Sequence, residues 1–109
     1  MAPVEDDTTP LGSVELAQEP SGARVVRLIG EIDISNAHSL GAQLDAFVGD
    51  GGGRIVVDLA ALEFMDSSGI AMLLRAAGSV DSIEIRNATT VVRRIIECAG
   101  LADVLRIEP

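Results

Sequence analysis

RIVVDLAALEFMDSSGIAMLLRAA, residues 54–77, carries two different periodicities with a junction between them. Ile55, Val56, Val57 and Leu59 form a short, almost unbroken apolar run, the pattern of a strand covered on both faces. After a connection of a few residues, Ile70, Leu73, Leu74 and Ala77 recur at helical spacing, so a helix begins near Ser68. Asp66, Ser67, Ser68 and Gly69 therefore occupy a strand-to-helix junction. In open α/β sheets such junctions lie at the carboxyl ends of strands, where ligands and partners are met. A helix N-terminus exposes unpaired N–H groups and partial positive charge. The D-S-S-G stretch thus suits plain helix capping or the holding of a phosphate, and these four residues alone do not choose between them.

On the N-terminal side, residues 24–29 (RVVRLI) read as a strand, preceded by a short edge strand over 13–17 and a turn at Glu19-Pro20-Ser21-Gly22. Gly30-Glu31-Ile32-Asp33 ends the second strand and leads into a helix over 35–48, with Ala37, Leu40, Leu44, Phe47 and Val48 on one stripe. Ser35 or Asn36 is the expected N-cap. The glycine run 49–53 is a turn: it lacks the Lys-Ser/Thr of a phosphate loop and precedes a strand instead of following one. On the C-terminal side, Ile83 and Ile85 alternate with Glu84 and Arg86 as a strand. Val92, Ile95, Ile96 and Ala99 share a helical face, Gly100 ends that helix, and 104–107 reads as a last strand. The expected fold class is α/β. A small mixed, mostly parallel sheet has helices packed against it in the order β-β-α-β-α-β-α-β.

The 109 residues suit one domain, read here as residues 13–109 behind a flexible acidic N-terminal tail, 1–12. The net charge of −9, with every basic residue an arginine, disfavours direct binding to nucleic acid or to an anionic membrane surface. No span of about 20 apolar residues and no secretory signal is present, so a cytoplasmic location is expected. The lone Cys98, beside Ile95, Ile96 and Ala99, reads as a small core or boundary residue.

Three stretches in order resemble the STAS domain of bacterial anti-anti-sigma factors, the anti-sigma factor antagonists. They are Leu28-Ile29-Gly30-Glu31-Ile32-Asp33, then Val56-Val57-Asp58-Leu59 leading into Phe64-Met65-Asp66-Ser67-Ser68-Gly69, then Val92-Arg93-Arg94-Ile95-Ile96 through Ala99-Gly100-Leu101. The match runs over about 14–107. The resemblance implies that Ser67 accepts phosphate from an anti-sigma factor with serine-kinase activity. It also implies that Asp33, Asp66, Ser67, Ser68 and Gly69 contact that partner, and that a phosphatase reverses the modification. The unmodified chain would capture the kinase and free a sigma factor, placing it in a transcriptional stress response as a phosphoprotein. In that scheme Asp66 orients the hydroxyl, Ser68 caps the helix and Gly69 permits close approach. The alternative within the same fold is a STAS subunit binding a transporter ATPase. Family members often carry a longer, glycine-containing link after the second helix and a further C-terminal helix. Here that link is abbreviated and no further helix is read; the first departure is expected to reshape the surface beside the partner site, the second to leave part of the sheet uncovered or to favour self-association.

Self-contained catalysis is not expected. A serine nucleophile needs a base within reach, and the only histidine is His38, read as a surface residue. The G-x-S-x-G elbow is absent, and an ordinary aspartate at Asp66 is too weak a base. No paired Cys or His ligands and no calcium-loop spacing occur, so neither a metal nor another cofactor is expected. Phe64, Met65, Ile70 and Met72 are assigned to the core, Met72 lying off the apolar stripe where exposure is the alternative.

Overall fold

The computed structural model describes residues 12–49, 53–101 and 105–107. The expected tail therefore lies outside the described residues except for Gly12, as do the middle of the glycine turn and residues 102–104. The elements are β1 (Gly12–Gln18), β2 (Arg24–Ile32), α1 (Ala37–Val48), β3 (Arg54–Met65), α2 (Ser67–Ala77), β4 (Ser82–Arg86), α3 (Thr90–Cys98) and β5 (Arg106–Ile107). One sheet takes them in the order β1-β2-β3-β4-β5; β1 and β2 are antiparallel and every later pair is parallel. The α/β, mostly parallel architecture expected from the sequence is the one observed.

Each parallel pair is joined through a helix, and each crossover steps one strand in the same direction. Right-handed crossovers then place all three helices on one face. Register and burial agree. Val26 pairs with Val57, and Val57 with Ile85; all three are fully buried, in one cluster with Leu44 of α1, Leu73 of α2 and Ile96 of α3. The residues of opposite parity point away from the helices and are mostly polar. Glu15, Arg27 and Asp58 lie side by side across β1, β2 and β3, with Arg27 bridged to Glu15 at 3.2 Å and to Asp58 at 3.5 Å. Arg86 reaches both Glu19 and Glu84 at 3.6 Å.

The apolar run of β3 is buried on both faces as expected, although the helices cover only one of them. Its helix side holds Ile55, Val57 and Leu59, whereas Val56 and Asp58 belong to the other side. Val56 is nevertheless 1% exposed. Its cross-strand neighbours are Val25 and Glu84.

The connection expected between this strand and the next helix does not exist. β3 runs unbroken in assignment to Met65, helped by two register shifts against β2, between Arg27 and Ile29 and between Gly30 and Glu31. Each shift inserts an additional β3 residue, bending and twisting the strand as bulges do. β4 pairs only as far as Asp58, so the last turn of β3 stands beyond it.

The helix ends are set by local chemistry. Arg24 donates to the carbonyls of Val48 (2.6 Å) and Phe47 (3.4 Å), placing a cation on the C-terminal end of α1. Thr89 caps α3 by accepting from the Val92 N–H. Gly100, at φ 76°, closes α3: its N–H reaches Glu97 and the Leu101 N–H reaches Ile96, a Schellman pair. The α3 stripe is narrower than expected, for Val92 and Ile96 are buried while Ala99 and Cys98 are exposed. Cys98 is therefore a surface thiol and not a core residue. It follows Glu97 on the solvent side of a helix whose apolar contacts are already made. The final strand is confined to Arg106–Ile107 among the described residues.

Candidate functional site

The β2 and β3 strands are parallel, so their carboxyl ends meet at one end of the sheet. There the Asp66 N–H donates to the Ile32 carbonyl at 3.1 Å, tying the β3–α2 junction to the β2–α1 loop. Asp33 follows Ile32 directly, and Ser67 follows Asp66. The backbone thus brings the Asp33 loop and the D-S-S-G junction together, as their placement at neighbouring strand ends requires.

Asp66 is extended (φ −101°, ψ −166°) and caps α2 itself, its Oδ1 accepting from the Ser68 N–H at 2.8 Å. The expected cap, Ser68, is instead the residue being capped. The Asp66 carbonyl also accepts the N–H groups of Gly69 and Ile70, at 3.0 and 3.2 Å. The first-turn amides from Ser68 to Ile70 are therefore already engaged. Ser67, the first helical residue, is exposed, and among the described residues none hydrogen-bonds its hydroxyl.

Gly69 is buried, so the close approach it permits is internal. A Cβ there would stand 2.8 Å from the Met65 Cβ and 3.3 Å from the Ile32 Cγ2. The glycine lets α2 begin directly on the strand ends, and the positions of Ser67 and Ser68 depend on it.

Asp33 organises the neighbouring loop. Its Oδ1 accepts from both the backbone N–H and the hydroxyl of Ser35, and these bonds hold its carboxyl below the ordinary aspartate range despite slight desolvation. Asn36 occupies the N-cap position of α1 without capping it. Its side chain accepts from the Asp33 N–H at 3.0 Å and donates to the Glu31 carbonyl at 2.8 Å, cross-bracing the loop. The helix starts at Ala37, the first residue of the apolar stripe, with Asn36, one of the two expected residues, at the N-cap position. Gly12 packs beneath this brace, where a Cβ would collide with the Glu31 carbonyl.

Of the apolar assignments beside the junction, Phe64 fails and Met72 holds. Phe64, expected in the core, is 44% exposed, because it shares the outward face with Glu31 while Met65 pairs inward with Ile32. Met72, assigned to the core although off the stripe, is 5% exposed and packs toward Gly41 of α1, where a glycine leaves room for it. Sequence reasoning also passed over Ile34, which is 83% exposed. It rims a groove of about 340 Å³ between α1 and α2 that includes His38, Ala42, Ser68 and Met72 and ends at the Arg75–Asp45 ion pair. The available signal was its place: a lone isoleucine between Asp33 and Ser35, outside the α1 stripe.

The end of the sheet is acidic. Glu31, Asp33, Glu63 and Asp66 lie here, and no arginine occurs in residues 28–53 or 55–74. Among the described residues no group of three or more His, Cys, Asp and Glu side chains is placed to hold a metal ion. No helix among them is long and apolar enough to cross a membrane.

Comparison with known proteins gives this arrangement its family. The family model described as "Mlab, STAS domain" matches residues 16–107. An anti-sigma factor antagonist from Mycobacterium paratuberculosis shares 27% identity over 90% of this chain and 86% of its own, with a TM-score of 0.81. The anti-sigma factor antagonist SpoIIAA in its unphosphorylated form aligns at 21% identity over 89% of each chain, TM-score 0.71. The Bacillus cell fate determinant SpoIIAA in its phosphorylated form aligns at 22% identity, over 89% of this chain and 92% of its own, TM-score 0.67. The chain belongs to the STAS-domain family, with anti-sigma factor antagonists among its structural relatives.

Proposed function

We propose that the protein is a phosphate-gated anti-sigma factor antagonist. Its unmodified form binds an anti-sigma factor with serine-kinase activity and so frees a sigma factor; phosphate on Ser67 abolishes that binding. The carrying observation is the Ser67 hydroxyl, exposed and unbonded among described residues at an acidic strand end. The solution of SpoIIAA in both unphosphorylated and phosphorylated forms supports a phosphate gate in a protein of this fold.

The electrostatics favour an all-or-none gate. Phosphorylation adds about −1.5 to −2 charges beside Asp66 and near Glu63. A free helix N-terminus would offset part of this, but Asp66 already occupies the Ser68 N–H and supplies the Gly69 and Ile70 acceptor. The phosphate would thus meet a carboxylate with few amides left to receive it. A partner that closes on the bare hydroxyl faces a dianion in a buried contact, and such repulsion costs several kcal/mol. No change of fold is needed. Asp33 and Asp66 present the acidic frame to a basic partner surface, Ser68 and Gly69 fix the helix start, and a phosphatase resets the state in the cytoplasm. The protein acts here as a substrate and a binding module, with no catalytic step of its own.

The matching family description names a STAS domain and no antagonist, which leaves room for the second reading, a STAS subunit binding a transporter ATPase. The deciding experiment is incubation of the chain with ATP and the kinase-type anti-sigma factors of its own cell, followed by phosphopeptide mapping. One phosphate on Ser67 and none on Ser68 is expected. A chain that no such kinase modifies, but that co-purifies with a transporter ATPase, establishes the second reading instead.

A further inference from the structure

β1 is an edge strand, with no described strand on its outer side. Exposed edges are usually blunted by proline, lysine, bulges or brevity, because their unpaired N–H and C=O groups template further pairing. β1 has none of these: it runs seven residues, GSVELAQ, in uninterrupted register with β2. Val14, on the helix side, packs against the core, whereas Leu16 on the same side is 41% exposed. The strand's only charge, Glu15, points to the opposite face and is paired to Arg27.

We propose that β1 joins β1 of a second copy, antiparallel, making one continuous ten-stranded sheet. Where two copies of one edge pair about a two-fold axis with their helix layers on the same side, residues of like parity face each other. A register centred on Glu15 would oppose two carboxylates directly, which is unfavourable. The register centred on Leu16 sets the two exposed leucines face to face, takes Glu15 to Ala17 of the second copy and Val14 to Gln18. Charge and exposed apolar surface therefore select the same pairing. On the open face the two Glu15 side chains become diagonal neighbours across the seam and not direct opposites, each already paired to the Arg27 of its own copy. β1 lies two strands from β3, so Ser67 remains accessible in both copies.

Five facing residue pairs bury far less than the roughly 1,200–2,000 Å² of a stable interface, so the dimer is weak. Two copies of charge −9 also repel at long range. Salt screens that repulsion, so the dimer strengthens with ionic strength. Sedimentation velocity on the full chain tests this: the weight-average mass should rise with protein concentration, more steeply in high than in low NaCl. Leu16→Lys, with unchanged circular dichroism, should remain monomeric. Register is read by mild oxidation of Leu16→Cys and, separately, Gln18→Cys, each in a Cys98→Ser background. Leu16→Cys should form a covalent dimer several-fold faster, since only it faces its own copy. A wild-type chain that stays monomeric throughout, or equal cross-linking at both positions, overturns the proposal.

Discussion

The Asp66 amide and the Ile32 carbonyl, 3.1 Å apart, join the two loops on which the candidate partner site is built. Through this bond the end of β2 fixes where α2 begins, and the brace around Asp33 is carried to Ser67. Asn36 is the removable part of that brace, half-buried and bonded at both ends of its amide. Asn36→Ala should cost about 1–2 kcal/mol in urea unfolding, two net hydrogen bonds. It should also broaden the amide signals of residues 33–36 and of Ser67 in NMR spectra. Broadening confined to 33–36 would show that the two loops are not coupled.

Gly69 permits the helix to start against Met65. Gly69→Ala forces a Cβ to within 2.8 Å of the Met65 Cβ, an atom close to the backbone that cannot swing aside. Destabilisation of about 1–3 kcal/mol is expected, measured by chemical denaturation. Gly22→Ala has open space around the new methyl but an unfavourable positive φ, and so separates overpacking from backbone strain.

Phe64 and Met72 should respond oppositely. Met72→Ala removes a buried side chain lodged against α1 and should cost about 2–5 kcal/mol. Phe64→Ala should change stability by no more than about 1 kcal/mol, yet weaken capture of the anti-sigma partner at least several-fold, because the ring is exposed at the end of β3 that leads into Asp66. Calorimetric unfolding paired with a binding assay on each variant checks both halves.

The open face makes stability pH-dependent. Burial raises the Asp58 pKa, but the Ala60 N–H, the Asn87 amide and Arg27 together outweigh burial and leave it below the ordinary aspartate value. A carboxylate depressed in the folded state stabilises it above the unfolded pKa of about 3.9, and the contribution is lost as pH falls through the lower folded value. Asp33 acts with the same sign through its Ser35 bonds. The midpoint of urea unfolding should therefore fall below about pH 4. In Asp58→Asn it should be lower at neutral pH and fall less steeply in acid.

Residue types at element boundaries carried most of what the sequence disclosed. The change of period across Asp66-Ser67-Ser68-Gly69 placed the β3–α2 junction, and the structure has it there, with α2 starting at Ser67. Facing was less legible, because it depends on tertiary partners. The run Ile55-Val56-Val57 looks doubly buried and is, but only one of its sides is the helix side, and the pattern does not say which. Met72 lies off the α2 stripe that faces the sheet, yet α1 packs on that flank at Gly41. Phe64 and Met65 differ by one residue at a register shift, which no local pattern announces. The cap at Asp66 was hidden by redundancy: Asp, Ser and Ser are all good caps, and only geometry selects among them.

The most direct measurement is a capture experiment from the protein's own cell lysate with wild type, Ser67→Ala and Ser67→Asp side by side, the bound proteins identified by mass spectrometry. Wild type and Ser67→Ala should each recover a kinase-type anti-sigma factor, and Ser67→Asp should lose it, the more completely at low salt. Equal recovery of that factor by all three would contradict the phosphate gate at Ser67.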